Sequence, residues 1–241
     1  MWIGVVLVRP GLRVYIGYDE REKAAYRVAV RSLMSQVSCP VIVSPLDHVR
    51  LAERGLLRRV TDRRGGRYDL LSNAPASTDF ALSRFLVPII SPHGWSLFMD
   101  CDMLCMADIA ELFTIADPKY AVMCVKHDFD NLTGTKMDGQ QQVSYPRKLW
   151  SSVMLFNGDH PANKRLSLTD VNERPGRDLH ALYWLEDSEI GELPGEWNWL
   201  VGLQPKPEKP KIAHYTLGTP DLPGVEPLPE HSMWWEAHAG T

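Results

Sequence analysis

Two aspartates stand two residues apart at the end of an apolar run at residues 95–99, and this spacing is suited to metal chemistry. Asp100 and Asp102 enclose a single cysteine. Residues i and i+2 of a strand face the same side, so the two carboxylates can converge where the strand leaves its sheet. Bare carboxylates so placed repel each other, and a divalent cation removes that repulsion. The oxygen ligands predict Mg²⁺ or Mn²⁺, ions that usually accompany a phosphate-bearing substrate.

Two other interpretations of the acidic pair stay open. The aspartates could be surface residues that cap the following turn, because D-x-D is frequent by chance. The pair could also belong to a phosphatase-type site, whose nucleophilic aspartate likewise follows an apolar strand. That class carries its pair near the chain start with Thr or Val two residues on, whereas Met103 and Leu104 follow this pair in mid-chain. The preceding apolar strand and the helix start DIAELF at residues 108–113 favour the metal site.

Strands that alternate with helices must position this pair. The run VYIGY at residues 14–18 is β-branched and aromatic, and apolar groups at helical spacing follow it in residues 22–36. The same criteria predict further strands at 41–43, 95–99, 120–125 and 153–156, further helices at 46–57, 80–89, 108–113 and 178–186, and a polar surface loop at 62–77. This alternation predicts a three-layer α/β domain with a mostly parallel central sheet.

Polar residues at the strand ends are the strongest candidates for a binding site. In open α/β sheets, ligands bind beyond the carboxyl ends of the strands. The residues at such positions here are Tyr18 and Asp19, Asp100 and Asp102, residues 126–128, and Asn157.

Composition narrows the classes of function. The chain has 241 residues, 44% of them hydrophobic, which is enough for one sizeable core. Lys plus Arg is 26 against 30 for Asp plus Glu, a net charge of −4, so no nucleic-acid partner is expected. The chain has no long tract of one charge, so global disorder is not expected. The four cysteines form no C-x-x-C pair, which predicts buried thiols rather than disulfides or a zinc site.

We expect a single domain over residues 1–241. Its α/β body covers about 13–200, and a proline-rich segment at about 202–241 packs on that body. The apolar opening at residues 2–8 is too short to span a bilayer and lacks the flanks of a signal peptide. The sequence therefore predicts a soluble, cytoplasmic protein without a transmembrane segment.

Three segments together resemble the central block of a known enzyme class. Residues 78–85 (TDFALSRF), 98–104 (FMDCDML) and 108–113 (DIAELF) look like the GT-A glycosyltransferases of the family 8 type, which includes glycogenin and bacterial galactosyltransferases. The resemblance runs from about residue 13 to about residue 220 and is most specific over 78–113. It implies the GT-A fold, and a D-x-D pair that holds Mn²⁺ (or Mg²⁺) on the pyrophosphate of a nucleotide-sugar.

The resemblance also implies residues for the nucleotide and the metal. Strand one would receive the nucleobase and ribose, and an arginine would lie near the nucleotide, with an aspartate that either pairs with it or caps its helix. A late histidine followed by glycine would supply the third metal ligand; here the glycine is four residues on rather than three, and no lysine follows. The implied nucleotide residues are Tyr15, Gly17, Tyr18, Asp19, Asp79, Arg84, Asp100, Cys101, Asp102 and Gly218, and the implied metal ligands are Asp100, Asp102 and His214.

The donor sugar is expected beside two further segments. Ser151 and Ser152 begin a strand that resembles the one along the donor sugar, although Trp150 and Ser152 replace the expected Asn and Gly. Asp187 falls where the family places its Asp-Gln pair, so it is the predicted catalytic carboxylate together with the two serine hydroxyls. The polar segment at 126–148 suggests acceptor or lid contacts.

The function implied is transfer of a sugar from a nucleotide-diphosphate donor, a UDP-sugar, to a glycan or other hydroxyl acceptor, with retention of configuration. Two alternatives remain. A sugar-nucleotide pyrophosphorylase shares the broad fold, but it carries a Gly-rich basic signature near the N-terminus, which residues 17–22 (GYDERE) lack. A non-catalytic glycan-binding or partner-binding module on a degenerate fold would fit the departures at Trp150, Ser152 and after Gly218.

Overall fold

Six strands form one sheet in a computed structural model that describes residues 11–62, 68–128, 147 and 149–240. The strands in chain order are β1 (Leu12–Tyr18), β2 (Val41–Asp47), β3 (Thr61–Asp62), β4 (Tyr68–Asp69), β5 (Ala74–Pro75), β6 (Trp95–Met99), β7 (Met103–Cys105), β8 (Val122–Cys124), β9 (Val153–Asn157), β10 (Ile190–Glu192), β11 (Trp199–Leu200) and β12 (Ile212–His214). The α-helices are α1 (Lys23–Gln36), α2 (His48–Glu53), α3 (Val87–Ile90), α4 (Ala110–Thr114), α5 (Leu168–Glu173), α6 (Gly176–His180) and α7 (His231–His238). Short 3₁₀ helices cover Glu20–Glu22, Ser83–Leu86, Pro161–Arg165, Asp187–Glu189 and Gly195–Asn198.

The strand order of the main sheet determines which strand ends lie side by side. The order is β10-β8-β9-β6-β1-β2, and only β9 runs antiparallel to its two neighbours. The carboxyl ends of β1, β6 and β8 therefore lie at one edge of the sheet, and the amino end of β9 joins them there. Met99 at the end of β6 pairs with Val153 at the start of β9, so the serines that precede β9 lie beside the acidic pair.

Burial of the central strands confirms the predicted three-layer α/β architecture with a mostly parallel sheet. All five residues of β9 and four of the five in β6 are buried. Successive residues of a strand face opposite sides, so both faces of the sheet must be covered by packed elements. Beside this core, Trp234 of α7 joins Val28 of α1 and Trp199 in a second buried cluster, which fixes the C-terminal helix against the body.

Three of the differences between predicted and observed elements have a direct physical reason. Strand β2 continues through Pro45 to Asp47, because β2 is an edge strand and a proline without an N–H is tolerated there. The helix expected at 80–89 is replaced by a 3₁₀ turn and α3, since Pro88 cannot donate the bond that a continuous helix requires. The helix expected at 178–186 ends early, because Leu182 adopts a left-handed φ of 52°.

The segment at 62–77, predicted to be a surface loop, carries a buried ion pair. Strands β3, β4 and β5 form a small antiparallel sheet, and Arg59 Nη2 lies 2.5 Å from Asp69 Oδ2. The Arg59 guanidinium also donates to the carbonyls of Val171 and Arg174. Two charged residues ten positions apart leave no periodic signal in the sequence. The polar composition of the segment therefore did not reveal that Asp69 is buried in an ion pair.

Several other predictions can be compared with the described residues. The four cysteines are free, and Cys101, Cys105 and Cys124 are buried. In the part of the chain that the structure describes, no helix is long and apolar enough to cross a bilayer. The apolar opening at 2–8 and most of the 126–148 segment lie outside the described residues.

Candidate functional site

The acidic pair and a histidine converge at the sheet edge. Asp100 and Asp102 follow β6, and β12 brings His214 opposite Met103 by antiparallel pairing with β7. One ligand atom from each of these three side chains lies within 4.8 Å of the other two. The turn is held from both sides, because the Asp100 N–H donates to the Ser152 carbonyl and the Tyr215 N–H donates to the Asp102 carbonyl. The residues that the sequence proposed as metal ligands are thus together.

The charges of this cluster are unusual for a folded interior. Burial raises the pKa of Asp100 to about 6; the Arg84 guanidinium, 3.0 Å away, opposes that rise and the Asp102 carboxylate adds to it. Burial also acts to raise the pKa of Asp102, but the His214 ring 3.4 Å away outweighs it and lowers that pKa. Asp102 Oδ1 is buried and accepts no hydrogen bond from the described residues. Such a carboxylate oxygen has the position and chemistry of a cation ligand.

Arg84 is buried and its guanidinium pairs with Asp100, while its contact with a nucleotide stays a prediction. Its guanidinium donates to the carbonyls of Ala81 and Ser151 and lies over the rings of Phe80 and Phe98. Its side chain is 6% exposed. Arg84 therefore supplies a fixed positive charge beneath the acidic pair.

The acidic end of strand β1 is organised by a buried carboxylate. Asp19 is fully buried and accepts from the Arg21 backbone and guanidinium through Oδ1 and Oδ2, and from the Asp79 N–H through Oδ2. Asp79 thus contacts Asp19 through its backbone, and the ion pair of Arg84 goes to Asp100. Asp19 joins strand β1 to the segment before the 3₁₀ turn at Ser83–Leu86. Direct contact of Asp19 and Asp79 with a nucleotide stays a prediction.

The other predicted nucleotide residues also lie at this edge. Tyr15 is half-buried against the main core, and Tyr18 packs edge-on against Tyr26 at 5.1 Å while its hydroxyl donates to Glu20. Gly218, in the loop after β12, adopts a φ of 109°, a region that favours glycine. Its N–H donates to the Tyr215 carbonyl.

Packing against Phe80 requires a glycine at position 17. A Cβ added at Gly17 would lie 2.3 Å from Phe80 Cδ2. We therefore expect Gly17→Ala to lower the free energy of unfolding by about 1–3 kcal/mol, because the buried Phe80 ring must move. Urea unfolding measures this loss. Gly195→Ala, where an added Cβ meets nothing within 4 Å, is the matched control. Equal stability of Gly17→Ala and wild type would contradict the expected clash.

Cys101, between the aspartates, faces away from solvent. It is fully buried and its Sγ donates to Glu22 Oε2 at 3.1 Å. Burial raises the pKa of the Cys101 thiol well above its ordinary value, and burial raises the pKa of Glu22 to about 7. The thiol therefore ties the D-x-D turn to the start of α1. Glu22 was missed from the sequence because it reads as one of several acids at a helix start.

The two predicted serines are close to the acidic pair, with their hydroxyls engaged by the protein. Ser151 Oγ lies 2.9 Å from His180 Nδ1, and Ser152 Oγ donates to the Leu149 carbonyl at 3.1 Å. Both residues are buried. His180 was not predicted, since one histidine in a helical segment gives no signal of its partner.

The predicted catalytic carboxylate Asp187 lines an open cavity. Its side chain is 86% exposed and pairs with Arg147 Nη2 at 2.6 Å. These two residues line an open cavity of about 540 Å³ together with Trp150, Tyr183 and Glu186. None of the three candidate metal ligands lines that cavity. Trp150 connects the two regions, because it precedes Ser151 and its Nε1 donates to the His127 carbonyl.

His127 lies at the carboxyl end of β8 and is 7% exposed. Burial lowers its pKa from the ordinary 6.5 to about 4, and the nearby His214 adds to that effect. The unfolded chain therefore binds an extra proton between about pH 4 and 6.5. The stability contributed by neutral His127 is complete above pH 6.5 and is lost as the pH falls through this window.

We expect the loss to approach roughly 3 kcal/mol near pH 4, the equivalent of a pKa difference between 6.5 and about 4. His127→Gln should flatten the dependence of unfolding free energy on pH between 7 and 5, as measured by urea titration. His93→Gln, at an exposed histidine, controls for the substitution. An equal slope in wild type and His127→Gln would contradict the assignment.

The chain matches known proteins in sequence and in structure. It is 45% identical over 214 residues to Protein CDI of Arabidopsis thaliana, an alignment that covers 86% of this chain and 78% of that protein. No family model matches the sequence.

Solved structures with the same fold are more distant in sequence. The WbbM bifunctional glycosyltransferase superposes with a TM-score of 0.60 at 15% identity, over 98% of this chain and 50% of that one. The galactosyltransferase LgtC gives 0.59 at 16% identity, over 95% and 96%. The glycosyltransferase GlyE of Streptococcus pneumoniae TIGR4 gives 0.58 at 18% identity, over 95% and 60%. The chain thus spans half to three fifths of the WbbM and GlyE chains. The chain has the GT-A fold and belongs to the same family as Protein CDI of Arabidopsis thaliana.

Proposed function

We propose that this protein is a metal-dependent glycosyltransferase, which transfers a sugar from a nucleotide-diphosphate donor, a UDP-sugar, to an acceptor hydroxyl with retention of configuration. The observation that carries the proposal is the convergence of Asp100, Asp102 and His214 at the sheet edge. The fold supports it as well, since WbbM and GlyE are described as glycosyltransferases and LgtC as a galactosyltransferase in complex with donor and acceptor sugar analogs.

The three side chains fit a hard divalent cation. They offer two carboxylates and one imidazole, and Asp102 Oδ1 is buried without a hydrogen bond from the described residues. This donor set suits Mn²⁺ or Mg²⁺. When bound, the ion would supply Lewis-acid stabilisation of the negative charge on a leaving diphosphate.

The chain's own residues prepare the site for this role. Arg84 is fixed beneath Asp100 and limits the repulsion between the two carboxylates before any ligand arrives. Asp19 anchors the segment at Asp79 to strand β1, so that the edge expected to receive the nucleobase is preorganised. Tyr15 and Tyr18 offer the aromatic surface of that edge. Asp187 and Arg147 define the cavity beside Trp150, which we assign to the sugar or acceptor end.

A screen of donors tests the proposal. The purified protein is incubated with UDP-, GDP- and dTDP-sugars, with Mn²⁺ or with a chelator, and released nucleotide diphosphate is measured. We expect Mn²⁺-dependent release from a UDP-sugar, which also increases with a suitable acceptor. Absence of release from every donor would contradict the enzymatic proposal, and formation of UTP from pyrophosphate and a UDP-sugar would instead favour a pyrophosphorylase.

A non-catalytic binding module is the second candidate. It is favoured by the engagement of both serine hydroxyls within the protein and by the lining of the Asp187 cavity, which includes none of the three candidate metal ligands. Calorimetric binding of UDP with Mn²⁺, without release of product from any donor, would support this alternative.

A further inference from the structure

A chain of hydrogen bonds leads from His214 away from the two carboxylates. His214 Nδ1 lies 2.9 Å from Asn198 Oδ1. Asn198 Nδ2 donates to Ser152 Oγ at 2.8 Å, and that hydroxyl donates to the Leu149 carbonyl at 3.1 Å. Asn198 is fully buried, and His214 and Ser152 are 2% exposed. This series of hydrogen bonds therefore lies in the protein interior, where each donor needs an acceptor.

The last member of this chain sets the direction of all the others. A carbonyl oxygen only accepts, so the Ser152 hydroxyl must give its single proton to Leu149. The Ser152 oxygen is then left to accept, which requires the NH₂ group of Asn198 to face it. The amide oxygen of Asn198 must consequently face His214, and only a protonated Nδ1 can donate to it.

We propose that Asn198 is a positioning residue that, together with Ser152, holds the proton of a neutral His214 on Nδ1 and turns the Nε2 lone pair toward the cation bound by Asp100 and Asp102. Nε2 is the atom that faces Asp102, 3.4 Å from its Oδ2. A histidine that binds metal through one nitrogen usually donates its other N–H to a fixed acceptor, which sets both tautomer and ring orientation. The inference rests on the proposed function, since it gives that metal site its orientation.

Asn163 offers a comparison for a purely structural amide. It is also buried, and it bonds the carbonyls of Ala121 and Asn157 and the Trp184 indole N–H. None of these three partners is a candidate metal ligand. Loss of Asn163 should therefore affect folding without any specific effect on the cation site.

The tautomer can be measured directly in the metal-free protein. Long-range ¹H–¹⁵N NMR spectra of wild type, at a pH high enough to leave His214 neutral, should show the proton on Nδ1. A neutral ring protonated at Nε2 would overturn the proposal. The spectrum requires neither metal nor donor, so its outcome is independent of sugar transfer. A wild type that binds no Mn²⁺ would overturn the proposed function, while the spectrum would still decide the orientation of His214.

The affinity for Mn²⁺ measures the effect of the His214 orientation on cation binding. By isothermal titration calorimetry, Asn198→Leu should bind Mn²⁺ about 10–100-fold more weakly than wild type, and Asn163→Leu should match wild type. Equal affinity of Asn198→Leu and wild type, or an equal loss in Asn163→Leu, would overturn the proposal. If Asn198→Leu fails to fold, the Ser152→Ala variant tests the same series of hydrogen bonds. It removes the hydroxyl that accepts from the Asn198 NH₂ group, so the Asn198 amide is free to flip by 180°. Full affinity with His214 still protonated on Nδ1 in Ser152→Ala would then contradict the role assigned to Ser152.

Discussion

Replacement of Asp102 by asparagine is expected to lower the rate of sugar transfer by roughly three orders of magnitude, which corresponds to about 4 kcal/mol in the barrier. The substitution keeps the shape of the side chain and removes its charge. It exchanges a buried carboxylate oxygen that accepts no hydrogen bond from the described residues for an amide, a far weaker ligand for a hard cation. It also removes the charge that His214 faces. Turnover of the UDP-sugar identified in the donor screen, at saturating donor and over a range of Mn²⁺ concentrations, measures the effect.

Two controls separate this loss from damage to the fold. Asp117→Asn changes an exposed aspartate paired with Lys119 and should retain wild-type turnover and Mn²⁺ affinity. Metal-free Asp102→Asn should remain folded at neutral pH with an unfolding free energy below that of wild type, because the attraction to His214 that it loses outweighs the burial cost and the repulsion from Asp100 that it also loses. Wild-type turnover in a folded Asp102→Asn variant would exclude Asp102 as a metal ligand in transfer.

The sequence was sufficient to locate the acidic pair because a strong local pattern preceded it. An apolar strand that ends in two acids limits where those side chains can be, and the parallel order of β1, β6 and β8 then brings their carboxyl ends together. His214 is far away in sequence and was found only through resemblance to a known family. Its actual position depends on the pairing of β12 with β7, a long-range contact that no local pattern encodes.

The partners of these residues were not predictable from sequence. The ion pair of the buried Arg84 with Asp100 was not predicted, and neither was a role for Asn198 beside His214. The antiparallel direction of β9 was also missed, although it is what brings Ser152 beside Asp100. Side-chain hydrogen bonds between distant segments follow from the finished packing, so they appear only once the topology is known.

Removal of the buried guanidinium is the second change with a large expected effect. Arg84→Met should lower the unfolding free energy of the metal-free protein by about 3–5 kcal/mol at neutral pH, because Asp100 loses its buried counterion and remains beside Asp102. The difference in unfolding free energy between wild type and Arg84→Met should become smaller toward pH 5. Burial already raises the pKa of Asp100 to about 6, and loss of Arg84, which opposes that rise, moves the pKa higher. A protonated Asp100 then needs no counterion. Urea unfolding at pH 7.5 and pH 5 measures both effects.

Mn²⁺ distinguishes this arginine from any other buried one. A cation held by Asp100 and Asp102 would supply the positive charge that Arg84→Met lacks, so Mn²⁺ should stabilise this variant more than it stabilises wild type. Arg59→Met is the matched control, since Arg59 is equally buried and paired with Asp69 in the small sheet. Arg59→Met should lose a similar amount of unfolding free energy. Mn²⁺ should stabilise this control variant no more than it stabilises wild type. If Mn²⁺ stabilised both variants and wild type to the same extent, Arg84 would be a structural ion pair without influence on the cation site.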